Sequence, residues 1–126
     1  MTIVRGSVVV VSLDPVLGHE QRGVRPCVVV SDAGITADQR FPLVCVVPIT
    51  GMPGEGLLYP LLAPGPSGLA KESFGLIDHL RSIDKRRVRR VFGELSPDEM
   101  AAIDEGLTVF LGLAGRRDAP DTPPVE

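Results

Sequence analysis

Three short valine-rich runs set apart by glycine and proline, followed by one well-capped helix, limit what this chain can become more than any other feature. Residues 7–13 read Ser-Val-Val-Val-Val-Ser-Leu between Gly6 and Asp14-Pro15. An unbroken β-branched run of that length predicts a strand buried on both faces. A polar connection from Asp14 to Val24, punctuated by Pro15, Gly18 and Gly23, leads to a second strand over residues 26–31. Residues 43–49 predict a third strand, with Pro48 near its end because proline donates nothing to a central ladder. Residues 57–62 predict a fourth, placed at an edge by Pro60, and Ser73 to Leu80 a further extended stretch. The basic segment after Asp84 is short enough for one or two helical turns.

The helix is signalled at both ends. Ser96 as N-cap, Pro97 at the first helical position and Glu99 three residues after the cap compose a capping box, and Leu95 with Met100 compose a hydrophobic staple. Met100, Ile103, Leu107, Phe110 and Leu111 recur at helical spacing as one apolar stripe, and Gly112 and Gly115 supply stop signals. Several short strands and then one long helix indicate an α+β domain built on a small, strongly curved sheet or barrel.

With 126 residues the chain has room for one compact domain, assigned to 1–115, and the proline-rich end, 116–126, is expected to be disordered. Cys27 and Cys45 are too few for a disulfide framework or a zinc site, and both sit in apolar runs that read as reduced core thiols. No apolar stretch approaches the roughly 18 residues of a membrane span and no signal peptide is evident, so a cytoplasmic location is expected. The net charge of −3 argues against a nucleic-acid ligand until its distribution is read: Arg81, Lys85, Arg86, Arg87, Arg89 and Arg90 are six of the 13 basic residues, with Asp84 the one acid among them. No glycine loop of the P-loop or dinucleotide kind is present.

Candidate chemistry gathers at strand ends and loops: His19, Glu20, Gln21, Arg22 and Arg25 before the second strand, Thr50 after the third, and Asp78, His79, Arg81 and Asp84 later. Guanidinium groups, a hydroxyl and an imidazole converging on one groove can hold a phosphodiester and move protons around it. Read from spacing alone, the same residues also suit an ordinary solvated loop.

A family pattern runs through these residues. Arg5-Gly6, Leu13-Asp14-Pro15, Gly18-His19-Glu20-Gln21, Gly23-Val24-Arg25-Pro26, Val47-Pro48-Ile49-Thr50 and Asp78-His79-Leu80-Arg81-Ser82-Ile83-Asp84-Lys85 resemble, in order and spacing, the successive signatures of the MazF/PemK toxin family over residues about 4 to 113. The resemblance implies an SH3-like or CcdB-like antiparallel barrel with a C-terminal helix, acting as a homodimer and partnered by a MazE-like antitoxin. It implies a ribosome-independent endoribonuclease that cuts single-stranded RNA without metal or cofactor. There the ribose 2′-hydroxyl attacks the adjacent phosphorus, leaving a 2′,3′-cyclic phosphate and a 5′-hydroxyl.

By position, Arg25 and Thr50 match the family's main catalytic pair, and His19 and Asp78 match two further residues of the PemK/Kid branch. That branch has an arginine two residues before Asp78. This sequence has Leu76 there, which favours the simpler Arg25–Thr50 arrangement.

Arg25 can donate two parallel hydrogen bonds to non-bridging oxygens and Thr50 one more, while His19, or Glu20 in its place, can exchange a proton. Glu20, Gln21, Arg22 and Arg81 are assigned to RNA contact. The alternatives are a structural acceptor role for Asp78, toward a backbone amide or Arg81, and an internal Arg81–Asp84 ion pair. Lys85 to Arg90 reads as a solvated basic face open to phosphate or to an acidic antitoxin segment. A gyrase poison of the CcdB kind is the competing class.

Overall fold

The computed structural model describes residues 2–13, 18 and 23–113. In chain order these form β1 (Ser7–Ser12), β2 (Val24–Val29), α1 (Ala33–Ala37), β3 (Leu43–Thr50), β4 (Leu61–Leu62), β5 (Ser73–Gly75), a 3₁₀ turn (Ile77–His79), β6 (Arg81–Asp84), a second 3₁₀ turn (Lys85–Arg87), β7 (Val88–Glu94) and α2 (Pro97–Phe110). The strands make one antiparallel sheet in the order β4-β5-β3-β2-β1-β7, with β6 also on β3. β3 is the hub. One of its edges holds β2 through Val46 to Pro48, and the other holds β6 along Leu43 to Val46 and β5 at Ile49 and Thr50.

The valine runs are explained by two cores, one on each side of this sheet. Val8, Val28, Val47 and Ile49 face one side, where Leu95, Ile103 and Leu107 bring α2 against them. Val9, Val11, Cys27, Val29, Val44 and Val46 face the other, joined by Leu13, Ile83 and Val88. Successive side chains of a strand point to opposite faces, so a strand buried on both has no polar position to offer. Register shifts between β1 and β7 mark bulges, which bend the sheet so that a few strands curl around the second core. This curled antiparallel half-barrel with a C-terminal helix bears out the α+β class and the small, strongly curved antiparallel sheet expected from the sequence.

The capping box of α2 is complete. Ser96 Oγ accepts from the Glu99 N–H at 3.2 Å and Glu99 Oε1 accepts from the Ser96 N–H at 2.9 Å. The other Glu99 oxygen accepts from the Ala63 N–H at 2.7 Å, so one carboxylate ties the helix start to the preceding loop. Leu95 and Met100 pack in the same core as a staple requires. Of the expected stripe, Ile103 and Leu107 are buried, whereas Phe110 and Leu111 are exposed at the helix end. Gly112 ends the helix at a φ of 70°, a left-handed conformation that glycine adopts freely; Gly115 lies outside the described residues, as does 116–126.

Several expectations are corrected. The second strand starts at Val24, not residue 26, because Val24 and Arg25 pair with Ser12 and Val11. The fourth shrinks to Leu61–Leu62, since Tyr59 N–H closes a turn onto Gly56 O at 3.1 Å. The stretch from Ser73 is extended only to Gly75 and then turns. Residues 88–94 are a strand, with Val88 and Val91 held against β1 despite the intervening arginines. The short helix α1, capped by Asp32, was not anticipated. Cys27 is buried and Cys45 only partly so, both free thiols. Among the described residues no helix is long and apolar enough to cross a membrane.

Candidate active site

Strand register brings the polar candidates to one rim. Residues paired across an antiparallel ladder share a face. Arg25 pairs with Val11, and Arg81 with Val46, so both belong to the face that otherwise buries the second core. Thr50 has the parity of Val46 and Pro48 on β3, and continuing the pairing of Cys27 with Pro48 by two residues sets Arg25 across from Thr50. On the other edge of β3, Thr50 pairs with Phe74. Thr50 thus stands between an arginine and an aromatic ring.

The Thr50 hydroxyl is prepared to donate. Its oxygen accepts the Met52 N–H at 3.1 Å across the tight turn that leaves β3, which leaves the O–H proton for an outward acceptor. Arg25 is exposed on β2, a charged donor on the same face of the sheet as that hydroxyl. The backbone beneath it is anchored: the Cys27 thiol donates to the Arg25 carbonyl at 3.8 Å. Burial pushes that thiol up to about 12 against the opposing pull of the Arg81 charge, so Cys27 is a packing group rather than a nucleophile.

A cavity of about 270 Å³ opens beside Thr50, with Glu55, Tyr59, Phe74, Leu76 and His79 in its lining. Leu76, the departure noted in the sequence, supplies apolar wall where the PemK/Kid branch has a guanidinium. Asp78 sits exposed on the 3₁₀ turn, next in sequence to the cavity-lining His79. Its partner is neither a backbone amide nor Arg81. The Tyr59 hydroxyl donates to Oδ2 at 2.7 Å, and His79 Nε2 lies 3.8 Å from Oδ1. The hydrogen bond to the Asp78 carboxylate raises the Tyr59 phenol above its ordinary range, keeping the proton on the donor.

Arg81 does not pair with Asp84. Its Nη1 donates to the Leu13 carbonyl at 2.9 Å, bracing the end of β1, while Asp84 binds Arg86 at 2.9 Å. Hydrogen bonds from the Arg86 side chain and backbone hold the Asp84 carboxyl down at about 2. The basic segment is correspondingly less solvated than its composition suggested. Lys85 Nζ donates to the carbonyls of Ile35 and Asp38 at 2.9 and 3.0 Å, beside the end of α1, and Arg87 reaches the Ser12 carbonyl at 3.3 Å. Arg90 stacks over Phe92, 4.7 Å from its centroid.

Of the eight residues picked from the sequence, Arg25, Thr50 and Arg81 share one face and Asp78 is bonded to Tyr59, which lines the cavity beside Thr50, while His19, Glu20, Gln21 and Arg22 lie outside the described residues. Sequence reasoning passed over two participants. Tyr59 was not singled out and His79 was named without a role, although each is scarce: the chain has one tyrosine and two histidines. No group of three or more His, Cys, Asp or Glu side chains suited to a metal ion occurs among the described residues.

A family model described as PemK-like, MazF-like toxin of type II toxin-antitoxin system matches residues 4–111. Among solved structures, MazF from Deinococcus radiodurans superposes with a TM-score of 0.75 at 29% identity, covering 89% of this chain and 98% of that one. A MazE–MazF complex from the same organism gives 0.70 at 28% identity over 90% and 99% of the two chains. An endoribonuclease in complex with its cognate antitoxin, from a mycobacterial species, shares the fold at a TM-score of 0.73 and 21% identity, over 89% and 97%. The match over residues 4–111, the curled sheet and the capped C-terminal helix agree that this chain belongs to the PemK-like, MazF-like toxins of type II toxin–antitoxin systems.

Proposed function

We propose that the chain is a sequence-specific endoribonuclease that cuts single-stranded RNA without metal, ribosome or cofactor. The observation that carries this reading is the meeting of Arg25 and Thr50 on one face by the β2–β3 register. The reacting group in RNA cleavage by internal attack is supplied by the substrate itself, the ribose 2′-hydroxyl. The protein needs to orient the phosphodiester and stabilise charge as it grows on the non-bridging oxygens. Arg25 offers a planar, permanently charged fork to two of those oxygens, and the Thr50 hydroxyl, with its oxygen already bonded, offers a further donor. The 2′-oxygen bonds to phosphorus as the 5′-oxygen leaves, giving a 2′,3′-cyclic phosphate and a 5′-hydroxyl.

Asp78, held by Tyr59, borders the space a flanking nucleotide would take, and Phe74 and Tyr59 offer rings for a base to stack on. His19, Glu20, Gln21 and Arg22 are proposed to complete the RNA surface, His19 or Glu20 as base. Arg81 is proposed to act on RNA through the loop base it braces at Leu13. A MazE-like antitoxin is the proposed regulatory partner and a homodimer the proposed working form. The complexes formed by structural relatives support the former.

The deciding experiment incubates purified protein with a single-stranded RNA of mixed sequence in EDTA and maps the 5′ ends. Discrete cuts bearing 5′-hydroxyl ends are expected, with Arg25→Ala slower by about 10²–10³-fold at unchanged circular dichroism. Intact RNA with the wild type would refute the reading, and DNA breaks that depend on gyrase would replace it.

A further inference from the structure

Loss of a 5′-oxygen from phosphorus calls for a proton at the leaving group, and His79 is placed to provide one. Its ring lines the same cavity of about 270 Å³ as Thr50 and is only 23% exposed. The turn that carries it is fixed from several sides: Ile77 is fully buried, Ile77 N–H donates to Leu58 O at 3.0 Å, and His79 N–H donates to Leu76 O at 2.9 Å. Its neighbour Asp78 is also fixed. With Tyr59 bonded to one carboxylate oxygen at 2.7 Å, the other faces His79 Nε2 at 3.8 Å. That pair is an ion pair only when the imidazole carries both protons, and 3.8 Å is too long for a hydrogen bond to tie up the ring N–H.

The other ionisable groups near the cavity are less suited. Glu55 is an acceptor when ionised and its charge repels a phosphate, as does that of Asp78. The Tyr59 phenol has its proton committed to Asp78. Lys71, whose side chain lies over Gly51 at the exit of β3, is not among the residues that line the cavity. Thr50 and Phe74, the cavity's contributions from β3 and β5, do not titrate in this range. An imidazole both attracts a phosphate when protonated and gives up its proton near neutral pH.

We infer that His79 is the general acid of strand cleavage, a role that rests on the ribonuclease reading above. The 2′-hydroxyl releases its proton to the general base of that reading, which passes it on to water, as its oxygen bonds to phosphorus. The phosphorus–O5′ bond breaks, the electron pair stays on O5′, and the imidazolium of His79 transfers its proton there. The products are the cyclic phosphate, the 5′-hydroxyl and a neutral imidazole, which a solvent proton restores.

The test uses two RNAs with the same junction, one that the wild type cuts, differing only in whether the 5′ bridging atom is oxygen or sulfur. A thiolate leaves without protonation, so the sulfur RNA has no need of an acid. His79→Gln is expected to cut the oxygen RNA about 100-fold more slowly than wild type and the sulfur RNA at the wild-type rate. The wild type alone gives a second measurement, since its kcat/KM should decline on the alkaline side for oxygen and not for sulfur. Equal slowing of both RNAs in a variant with unchanged melting temperature, an undiminished rate on the oxygen RNA, or the same alkaline decline on both in the wild type would each remove His79 from this role. Those results would leave the ribonuclease reading intact, whereas a wild type for which no cut junction can be found in any single-stranded RNA overturns both.

Discussion

Gly106→Ala sets two opposed effects of known size against each other. Gly106 is buried in α2, where alanine would raise intrinsic helix stability by about 1 kcal/mol. A methyl group there would lie 2.8 Å from the Leu57 carbonyl oxygen and 3.0 and 3.3 Å from Ile77 Cγ1 and Cδ1. The carbonyl belongs to backbone, and Ile77 is fully buried, so neither neighbour can step aside cheaply. Overpacking of this kind costs about 1–3 kcal/mol, and with the backbone contact in the upper part of that range the net loss is about 1–2 kcal/mol. For a domain of this size that lowers the melting temperature by roughly 4–8 °C and moves the urea midpoint down at constant slope. Because the displaced atoms belong to the segments that carry Tyr59 and the Asp78–His79 turn, RNA cleavage should slow even well below the melting point. A variant as stable as wild type would show that α2 does not press on this turn as described.

Ser96→Ala removes the acceptor that the Glu99 N–H uses and should cost about 1 kcal/mol in urea unfolding; an unchanged midpoint would contradict the capping geometry. Asp84, held at about 2 against an ordinary 3.8, favours the folded state above about pH 4 and loses that contribution as pH falls toward 2. The stability gap between wild type and Asp84→Asn should therefore close over that interval, and a gap constant from pH 6 to pH 2 would refute the assignment. At pH 8 Cys27 should resist iodoacetamide until denaturant is added, since its thiol is buried and raised to about 12; native-state labelling at that position would show the second core to be open.

How much of this was legible in the sequence depended on whether neighbouring residues carried the information. The α2 cap was readable because Ser96, Glu99, Leu95 and Met100 interact within one turn. The β1 and β3 valine runs were readable because burial on both faces leaves no polar position. β7 was not: Arg89 and Arg90 are exposed where the bulged ladder turns outward, and only pairing of Val88 and Val91 with β1 makes the segment a strand. The Arg81–Asp84 spacing suggested an ion pair, but residues three apart in a strand point to opposite faces, and Asp84 found Arg86 across the following turn instead. Arg25 and Thr50 were named from family motifs, while their shared face of the sheet follows from a register that no local pattern reveals. The Tyr59–Asp78 bond joins residues 19 apart, with β4 and β5 between them, and nothing short of the fold announces it.

The central claim is that Arg25 and Thr50 act on one phosphate, and a double-mutant cycle in kcat/KM with Arg25→Ala, Thr50→Val and the combined variant addresses it directly. If both groups hold the same non-bridging oxygens, each single change should cost about 10²-fold or more, and the pair should cost far less than the product of the two. A double variant slowed by the full product would mean that the two side chains work independently.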